Sequence, residues 1–162
     1  MHFSPAELET YPGYYIRRLQ QVAVALFMEE VQEFGVTPVQ FAALSAVTRM
    51  PGLDQRSLAR FIAFDASTIG AVIDRLESRG LLTRSSSAKD RRVRLLHVTD
   101  EGRNLLMQAQ PAVLRAQDRM LGPLPESSRR PFMEMLAHLI DEYDKGARGN
   151  PALGPKAAND ER

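Results

Sequence analysis

The feature that most constrains this chain is the segment from Asp65 to Thr99, which has the pattern of an amphipathic helix followed by two short strands with a basic tip. Apolar residues of the helix recur at i, i+3, i+4 and i+7 and predict one buried stripe: Ile69, Val72, Ile73 and Leu76. Asp65 is suited to cap the start of the helix and Gly80 its end. The opposite, outer face carries Thr68, Ala71, Arg75 and Ser78. Because these side chains are small or hydroxylic apart from one long cation, the face could approach base edges in DNA, although an ordinary surface helix would show the same pattern.

The residues after this helix predict a β-hairpin. Residues 81–85 and 93–99 alternate imperfectly between apolar and polar, as strands with one face on a helical body do. The tip between them carries Lys89, Arg91 and Arg92, which suit a narrow electronegative minor groove or a pair of phosphates. A solvated basic loop is the alternative.

A second, shorter helix is predicted directly before the first. Residues 53–62 place Leu58, Phe61 and Ile62 where they can pack under the next helix, across a turn at residues 63–64. Two helices joined this tightly, the second with a polar outer face, form a helix-turn-helix. With the hairpin they predict a mainly α fold with a small β-wing, a winged helix-turn-helix.

Three motifs in this region resemble the MarR family of bacterial transcriptional regulators: Leu-Glu-Ser-Arg-Gly-Leu-Leu-Thr-Arg at 76–84, Asp-Arg-Arg at 90–92 and Leu-His-Val-Thr-Asp-Glu-Gly at 96–102. Each motif is weak alone, but their order and spacing together are specific, and the similarity covers about residues 11–145. The resemblance implies a winged helix-turn-helix flanked by N- and C-terminal dimerisation helices. It also implies a homodimer whose partner is a double-stranded DNA operator.

The helices of this motif supply five predicted DNA contacts. We expect Thr68, Ala71 and Arg75 to lie in the major groove, where Arg75 could reach a guanine. Ser57 and Ser67 are expected to contact phosphates.

The wing tip supplies the other predicted contacts. Arg92 matches the family's minor-groove arginine, and Lys89 and Arg91 add positive charge beside it. Asp90 is expected to orient Arg91 or Arg92 through a salt bridge. The family often has an acidic or proline-containing approach to the tip, whereas residues 85–88 here are Ser-Ser-Ser-Ala, so the exact position of the tip stays open.

Positive charge is concentrated in the segment predicted to meet phosphate. The chain of 162 residues has a formal net charge of only +1. Residues 53–99, however, hold nine Lys or Arg against five Asp or Glu, while the segments on either side carry a small net negative charge. This asymmetry is the electrostatic footprint expected of a DNA-binding surface.

The segments before and after the winged domain have the pattern of amphipathic helices that associate with another surface. A winged domain of about sixty residues has its own small core, so apolar stripes on the outer helices need another surface to cover them. The last helix, for example, carries Phe132, Leu136, Leu139, Ile140 and Tyr143 on one side. A two-fold dimer with intertwined first and last helices would cover these stripes and place two recognition helices about one duplex turn apart.

The predicted division of the chain follows from these elements. It comprises an N-terminal dimerisation helix at 1–36, a winged DNA-binding domain at 37–99, C-terminal dimerisation helices at 100–145 and a disordered tail at 146–162.

Regulators of this family commonly sense small molecules, often aromatic carboxylates, between the dimerisation helices and the DNA-binding lobe. Six residues are candidates for such a pocket: Tyr14, Tyr15, Arg17, Arg18, Phe41 and Leu44. The tyrosine rings could sandwich a planar ligand, one arginine could pair with its carboxylate, and the last two could form an apolar wall. Alternatively, the arginines are exposed or pair across the dimer and the tyrosines belong to the core. A nicotinate-type pyridine carboxylate is the first expectation for the effector.

Other classes of protein are disfavoured. The chain has no cysteine, and its histidines at 2, 97 and 138 show no paired spacing, so we expect no thiol switch, no metal and no cofactor. No converging acid, base and nucleophile residues and no Gly-rich phosphate loop indicate an enzyme. Without a signal peptide or an apolar run of about twenty residues, we expect a cytoplasmic protein with no membrane partner. We expect a homodimeric repressor that a small aromatic carboxylate releases from a pseudo-palindromic operator. A nonspecific architectural DNA-binding protein and a winged-helix module for protein interaction, both without a ligand, remain alternatives.

Overall fold

The computed structural model describes residues 9–88, 90 and 92–149. Over these residues the chain forms six α-helices and one two-stranded antiparallel sheet, which confirms the mainly helical fold with a small β-wing. The elements in chain order are α1 (Pro12–Glu30), α2 (Pro38–Arg49), α3 (Gln55–Phe61), α4 (Ala66–Ser78), β1 (Leu82–Ser86), β2 (Arg94–Val98), α5 (Asp100–Leu121) and α6 (Glu126–Gly149). Lys89, Arg91 and residues 150–162 of the predicted tail lie outside the described residues, whereas the backbone at 146–149 continues α6.

Side-chain caps fix where the helices begin. At α2, the Gln40 amide donates to Thr37 Oγ1 (3.3 Å) and the Thr37 amide donates to Gln40 Oε1 (3.1 Å), which completes a capping box. Asp54, Asp65 and Thr99 cap α3, α4 and α5 through one side-chain oxygen each. The cap at Asp65 confirms the predicted start of α4.

The end of α4 sets the position of the wing. Gly80 has φ +70°, and its amide donates to the carbonyl of Glu77 (2.9 Å) while the Leu81 amide donates to that of Leu76 (3.0 Å). These two bonds form a Schellman motif, for which glycine is the preferred residue. Because Leu81 terminates the helix and Thr99 caps the next one, the strands run over 82–86 and 94–98 rather than the predicted 81–85 and 93–99.

The turn between α3 and α4 corrects one predicted core residue. Leu58 is fully buried and Ile62 packs against the same core, as predicted, but Phe61 is 50% exposed. Ala59 is buried instead, which rotates the buried side of this short helix away from Phe61. Ala63 adopts φ 57° in the turn, so the chain reverses there without a glycine.

Two adjoining clusters form the core. The larger one holds the winged domain together and includes fully buried side chains of α2, α3, α4, β1 and β2, namely Leu44, Leu58, Ile69, Ile73, Leu76, Leu82 and Leu96. The smaller one joins α1 to α5 through Phe27, Val31, Val36 and Ala112. Leu105 packs against both clusters, so α5 connects the winged domain to the first helix.

Ion pairs reinforce the contact between α1 and α5. Glu30 accepts from Arg115 Nε (2.9 Å) and from Arg119 Nη1 (2.7 Å), and Arg119 also pairs with Glu29 (3.1 Å). Hydrogen bonds from Arg119 and then Arg115 hold the pKa of Glu30 below its usual value. The first helix is therefore fixed to the body of the subunit by charge as well as by apolar packing.

The outer helices leave apolar surface uncovered in the single subunit. On α6, Leu139 and Ile140 are 52% and 60% exposed, and Tyr143 is exposed beside them. On α1, Tyr15 and Ile16 are exposed to a similar extent. Isolated exposed apolar residues are ordinary, but two helices with such faces indicate a surface built for association.

Two further properties concern only the part of the chain that the structure describes. No helix there combines the length and apolarity needed to cross a membrane. No three acidic or histidine side chains come together there as a metal-binding group would require.

Candidate nucleic-acid interface

Helix α4 presents a polar face to solvent and an apolar face to the core. Ile69, Ile73 and Leu76 are fully buried, which leaves the opposite side free to meet a ligand. The exposed residues of that side are Thr68, Ala71, Arg75 and Ser78, as the periodicity predicts. Among the ion pairs of the described residues none involves Arg75, so its guanidinium is available for a base or a phosphate.

The start of α4 is organised by Asp65. Its Oδ1 accepts from the Thr68 amide (2.7 Å) and from Ser67 Oγ (2.6 Å), and its Oδ2 accepts from Thr68 Oγ1 (2.6 Å). Donation by Ser67 first, and then by Thr68, holds the pKa of Asp65 far below its usual range. Asp65 is therefore ionised at neutral pH and acts only as an acceptor.

This network changes what the two hydroxyls offer to DNA. A hydroxyl has one hydrogen to donate, and those of Ser67 and Thr68 are directed at Asp65. Ser57 is similar, because its side chain and amide both donate to Asp54 and lower the pKa of that carboxyl. Predicted phosphate contacts by Ser57 and Ser67 thus require each hydroxyl to leave its aspartate, since phosphate oxygens accept and do not donate.

The wing, formed by β1, β2 and the tip between them, is bonded directly to α4. Arg84 of β1 pairs with Glu77 Oε2 (2.6 Å) and with Asp74, both on α4. The register pairs Leu82 with Val98 and Ser86 with Arg94, so the hairpin extends away from this anchor. Sequence reasoning missed Arg84, although Asp74 and Glu77 share a helix face at a spacing of three and signal a cationic partner.

Asp90 supports the wing tip through the backbone. Its Oδ1 accepts from the amide of Arg92 (2.9 Å), and its carbonyl accepts from the amide of Val93 (3.0 Å). The ion pairs of the described residues do not include the predicted salt bridge to Arg92, whose side chain is exposed. Arg91 and Lys89 fall outside the described residues. Asp90 shapes the turn that presents Arg92 by a side-chain hydrogen bond to the main chain.

Arg79 connects α4 to the segment between α1 and α2. Sequence reasoning did not predict this contact either. At the end of α4, its guanidinium donates to the carbonyls of Gly35 (2.6 Å) and Phe34 (3.2 Å), which lie between α1 and α2. The two bonds span sequence separations of 44 and 45 residues. A contact between such distant positions cannot be predicted from a local sequence pattern. Arg79 therefore bonds the α1–α2 connection to the end of α4.

Comparison with known proteins places this arrangement in a family. The sequence model of the MarR family matches residues 34–93, from the turn before α2 to the wing. The chain is also similar to the PcaV transcriptional regulator from Streptomyces coelicolor, solved with its natural ligand, at 35% identity and a TM-score of 0.77 over 87% of this chain and 98% of PcaV. The chain belongs to the MarR family.

Two other solved structures are matched by this chain over nearly their whole length. The transcriptional repressor CouR, solved on a 23-mer DNA duplex, is 32% identical with a TM-score of 0.78 over 86% of this chain and 99% of CouR. BpsR of Bordetella bronchiseptica, whose DNA binding is regulated by 6-hydroxynicotinic acid, is 28% identical with a TM-score of 0.77 over 87% of this chain and 97% of BpsR. The winged helix-turn-helix of this MarR-family chain is accordingly that of a DNA-binding transcriptional regulator.

The six candidate effector residues of this MarR-family chain do not converge on one face. Arg17 lies three and seven residues before Gln20 and Val24, which line a cavity of ≈120 Å³ between α1, α2 and α5. Tyr15 lies four and seven residues before Leu19 and Val22, which line an apolar groove of ≈350 Å³ between α1 and the α5–α6 junction. Helical spacing therefore places Arg17 and Tyr15 near two different openings, although neither residue lines one.

The other four candidates are placed differently. Tyr14 and Arg18, four residues apart, share a side of α1 that faces away from the cavity, and the Tyr14 ring contacts that of Tyr15 edge to face, with 5.5 Å between ring centroids. Phe41 stacks edge to face on Phe27, which lines the cavity. Leu44 is fully buried in the core of the winged domain, so in this conformation it offers no surface to a ligand.

Proposed function

We propose that this MarR-family regulator is a homodimeric repressor that leaves a pseudo-palindromic operator when a small aromatic carboxylate binds. The observation that carries the DNA-binding part is the outer face of α4. Its exposed Thr68, Ala71 and unpaired Arg75 stand beside a wing that Arg84 anchors to the same helix. Such a unit can read base edges with the helix and hold the backbone with the wing.

The uncovered faces of α1 and α6 support the homodimer. Leu139, Ile140 and Tyr143 project from α6 into solvent, and Tyr15 and Ile16 do so from α1. A second copy related by a two-fold axis can cover the apolar faces of α1 and α6 with its own α1 and α6. In such an isologous contact the same surface is used on both copies. Two recognition helices held in this way match a two-fold symmetric DNA site.

Two neighbours support a small-molecule effector, and one of them supports an aromatic acid. PcaV was solved with its natural ligand, and DNA binding by BpsR responds to 6-hydroxynicotinic acid, a pyridine carboxylate. In this chain Phe27 lines the cavity between α1, α2 and α5, and Arg17 precedes the lining residue Gln20 by three positions on α1. A guanidinium near an aromatic ring is suited to a planar carboxylate.

The proposed release mechanism is a population shift. An acid bound against α1 would favour a position of α1 relative to α2 that no longer suits the two half-sites. Arg79 is placed to transmit this change, because it bonds the α1–α2 connection to the end of α4. The two states are the arrangement that binds DNA and the one that the effector favours. Affinity for DNA would fall by at most the ratio of the effector's affinities for these two states.

Fluorescence anisotropy would test the proposal. A labelled duplex from directly upstream of the gene and a scrambled duplex are titrated at the same salt concentration, with and without a panel of benzoate and pyridine carboxylates. Tight, sequence-preferring binding that one acid reverses would support the proposal. Equal, weak binding to both duplexes would overturn it and favour an architectural role.

Arg75→Ala should weaken binding to the operator about tenfold or more, since one bidentate contact to a base discriminates by roughly 1–3 kcal/mol. Affinity for the scrambled duplex should fall far less, so the ratio of the two dissociation constants is the measurement. Arg130→Ala is the matched control, because this arginine is 89% exposed on α6, away from the wing. Equal losses on both duplexes would assign Arg75 to the backbone rather than to a base.

Arg17→Ala should abolish the response to the effector while leaving affinity for the operator in its absence within about threefold, because only the carboxylate partner is lost. Arg18→Ala is the internal control, since it lies one residue on and faces away from the cavity. The measurement is the concentration of acid that releases half of the bound DNA. Loss of the response in Arg18→Ala and not in Arg17→Ala would contradict the assignment of the cavity.

A further inference from the structure

An open notch lies between the start of α3 and β2, beside the surface described so far. It has a volume of ≈410 Å³, and its lining residues are Asp54, Gln55, Arg56, Arg92, Val93 and Arg94. Three of the six are arginines, and all three are exposed. Arg56 belongs to α3 and Arg94 to β2, so the charges come from two separate elements.

Main-chain bonds fix the two walls of the notch relative to each other. Asp54 forms an isolated antiparallel bridge with Leu95, and the Leu96 amide donates to the carbonyl of Leu53 (2.8 Å). The Gly52 amide donates in turn to the carbonyl of Leu96 (3.1 Å). The segment before α3 therefore lies along β2 like a short third strand, which holds Arg56 beside the end of β2 nearest the wing tip.

The charge of the notch is strongly positive. Among the described residues that line it, Asp54 is the one carboxylate, and hydrogen bonds from Ser57 lower the pKa of that carboxyl and engage it as the cap of α3. Arg94 Nη1 donates to Ser86 Oγ (3.0 Å), which orients the guanidinium without neutralising it. Three guanidinium groups thus surround a space with a single, already engaged, negative group.

The notch is continuous with the recognition helix. Gln55, which lines the notch, donates from Nε2 to the carbonyl of Ala66 at the start of α4 (2.9 Å). On its other side the notch includes Arg92 of the wing. The notch therefore borders the start of α4 and the wing, the two elements proposed to contact the duplex.

We infer that the notch formed by Arg56, Arg92 and Arg94 binds a phosphate of the DNA backbone, irrespective of base sequence. This inference rests on the proposed DNA-binding function and adds Arg56 and Arg94 to the residues that contact the duplex. Guanidinium groups suit phosphate because they donate in pairs to two oxygens. A dimer would carry two such notches, one at each half-site.

Salt-dependent anisotropy with the operator and scrambled duplexes tests the inference. In Arg56→Gln and Arg94→Gln the affinity for both duplexes should fall by a similar factor, roughly three- to tenfold for each variant. The slope of log K against log salt should become shallower by up to about 1.8 per variant, the value for complete loss of the phosphate contact at both notches of a dimer at about 0.9 each. Arg56→Lys, which keeps the charge, should retain most of the wild-type slope.

Arg130→Gln is the matched control, since it removes one exposed arginine from α6 on the side opposite Leu139. Thermal melts of all variants test whether the fold is intact. If Arg56→Gln and Arg94→Gln behave like this control, the inference is wrong. A loss confined to the operator would also overturn it, because the residues would then read bases.

The same titration separates this inference from the proposed function. Wild-type protein that binds both duplexes equally, with weaker binding in the two notch variants, would remove the sequence-specific function and leave the phosphate contact standing. Wild-type protein that binds neither duplex would overturn both.

Discussion

Leu139→Glu should convert the proposed dimer into a monomer. Leu139 is 52% exposed in the single subunit and lies next to Ile140 on the apolar side of α6, so the substitution leaves the fold of one subunit intact. In the proposed two-fold dimer both copies would bury an unpaired carboxylate. Because the two together cost at least about 4 kcal/mol, the dimer dissociation constant should rise on the order of a thousandfold or more.

Light scattering coupled to size-exclusion chromatography measures this effect. The matched control is His138→Glu, which adds the same charge one residue earlier, on the side of α6 that faces away from the apolar stripe. The control should stay dimeric, and operator affinity should fall only in Leu139→Glu. A Leu139→Glu protein that elutes as a dimer would show that α6 does not form the interface.

Gly102→Ala should lower the free energy of unfolding by about 3 kcal/mol, near the upper end of the usual cost of overpacking a core. Gly102 is buried in the first turn of α5, where a Cβ atom would lie 2.7 Å from Val98 Cγ1 and closer still to the carbonyl oxygen of Leu81. That carbonyl also accepts from the Thr99 amide (3.2 Å). The start of α5 would therefore have to move off the wing or break its cap.

Urea denaturation at a fixed protein concentration measures the change, since association contributes to the apparent stability. Gly13→Ala provides the control, because a Cβ atom at Gly13 meets no atom within 4 Å. Its stability should be unchanged or slightly higher, as alanine has the greater helix propensity. Equal stability of Gly102→Ala and wild type would mean that α5 approaches the wing less closely than the structure indicates.

The local parts of this structure follow from the sequence. Asp65 and Gly80 delimit α4 because a carboxylate bonded to a free amide and a residue with positive φ act within a few positions of themselves. The outer face with Thr68 and Arg75 follows from helical periodicity, since the buried stripe defines the opposite side. The motifs around the wing were specific enough to indicate the MarR family, which the comparisons confirm.

Contacts between distant segments were decided only by the tertiary structure. The bonds of Arg79 to the α1–α2 connection and the facing of Arg56 and Arg94 across the notch join positions more than thirty residues apart. Helical spacing could suggest that Leu44 was available to a ligand, yet its burial depends on which helices α2 meets. Periodicity gives each helix an apolar side and a polar side, but the partner of each side is set by packing over the whole chain.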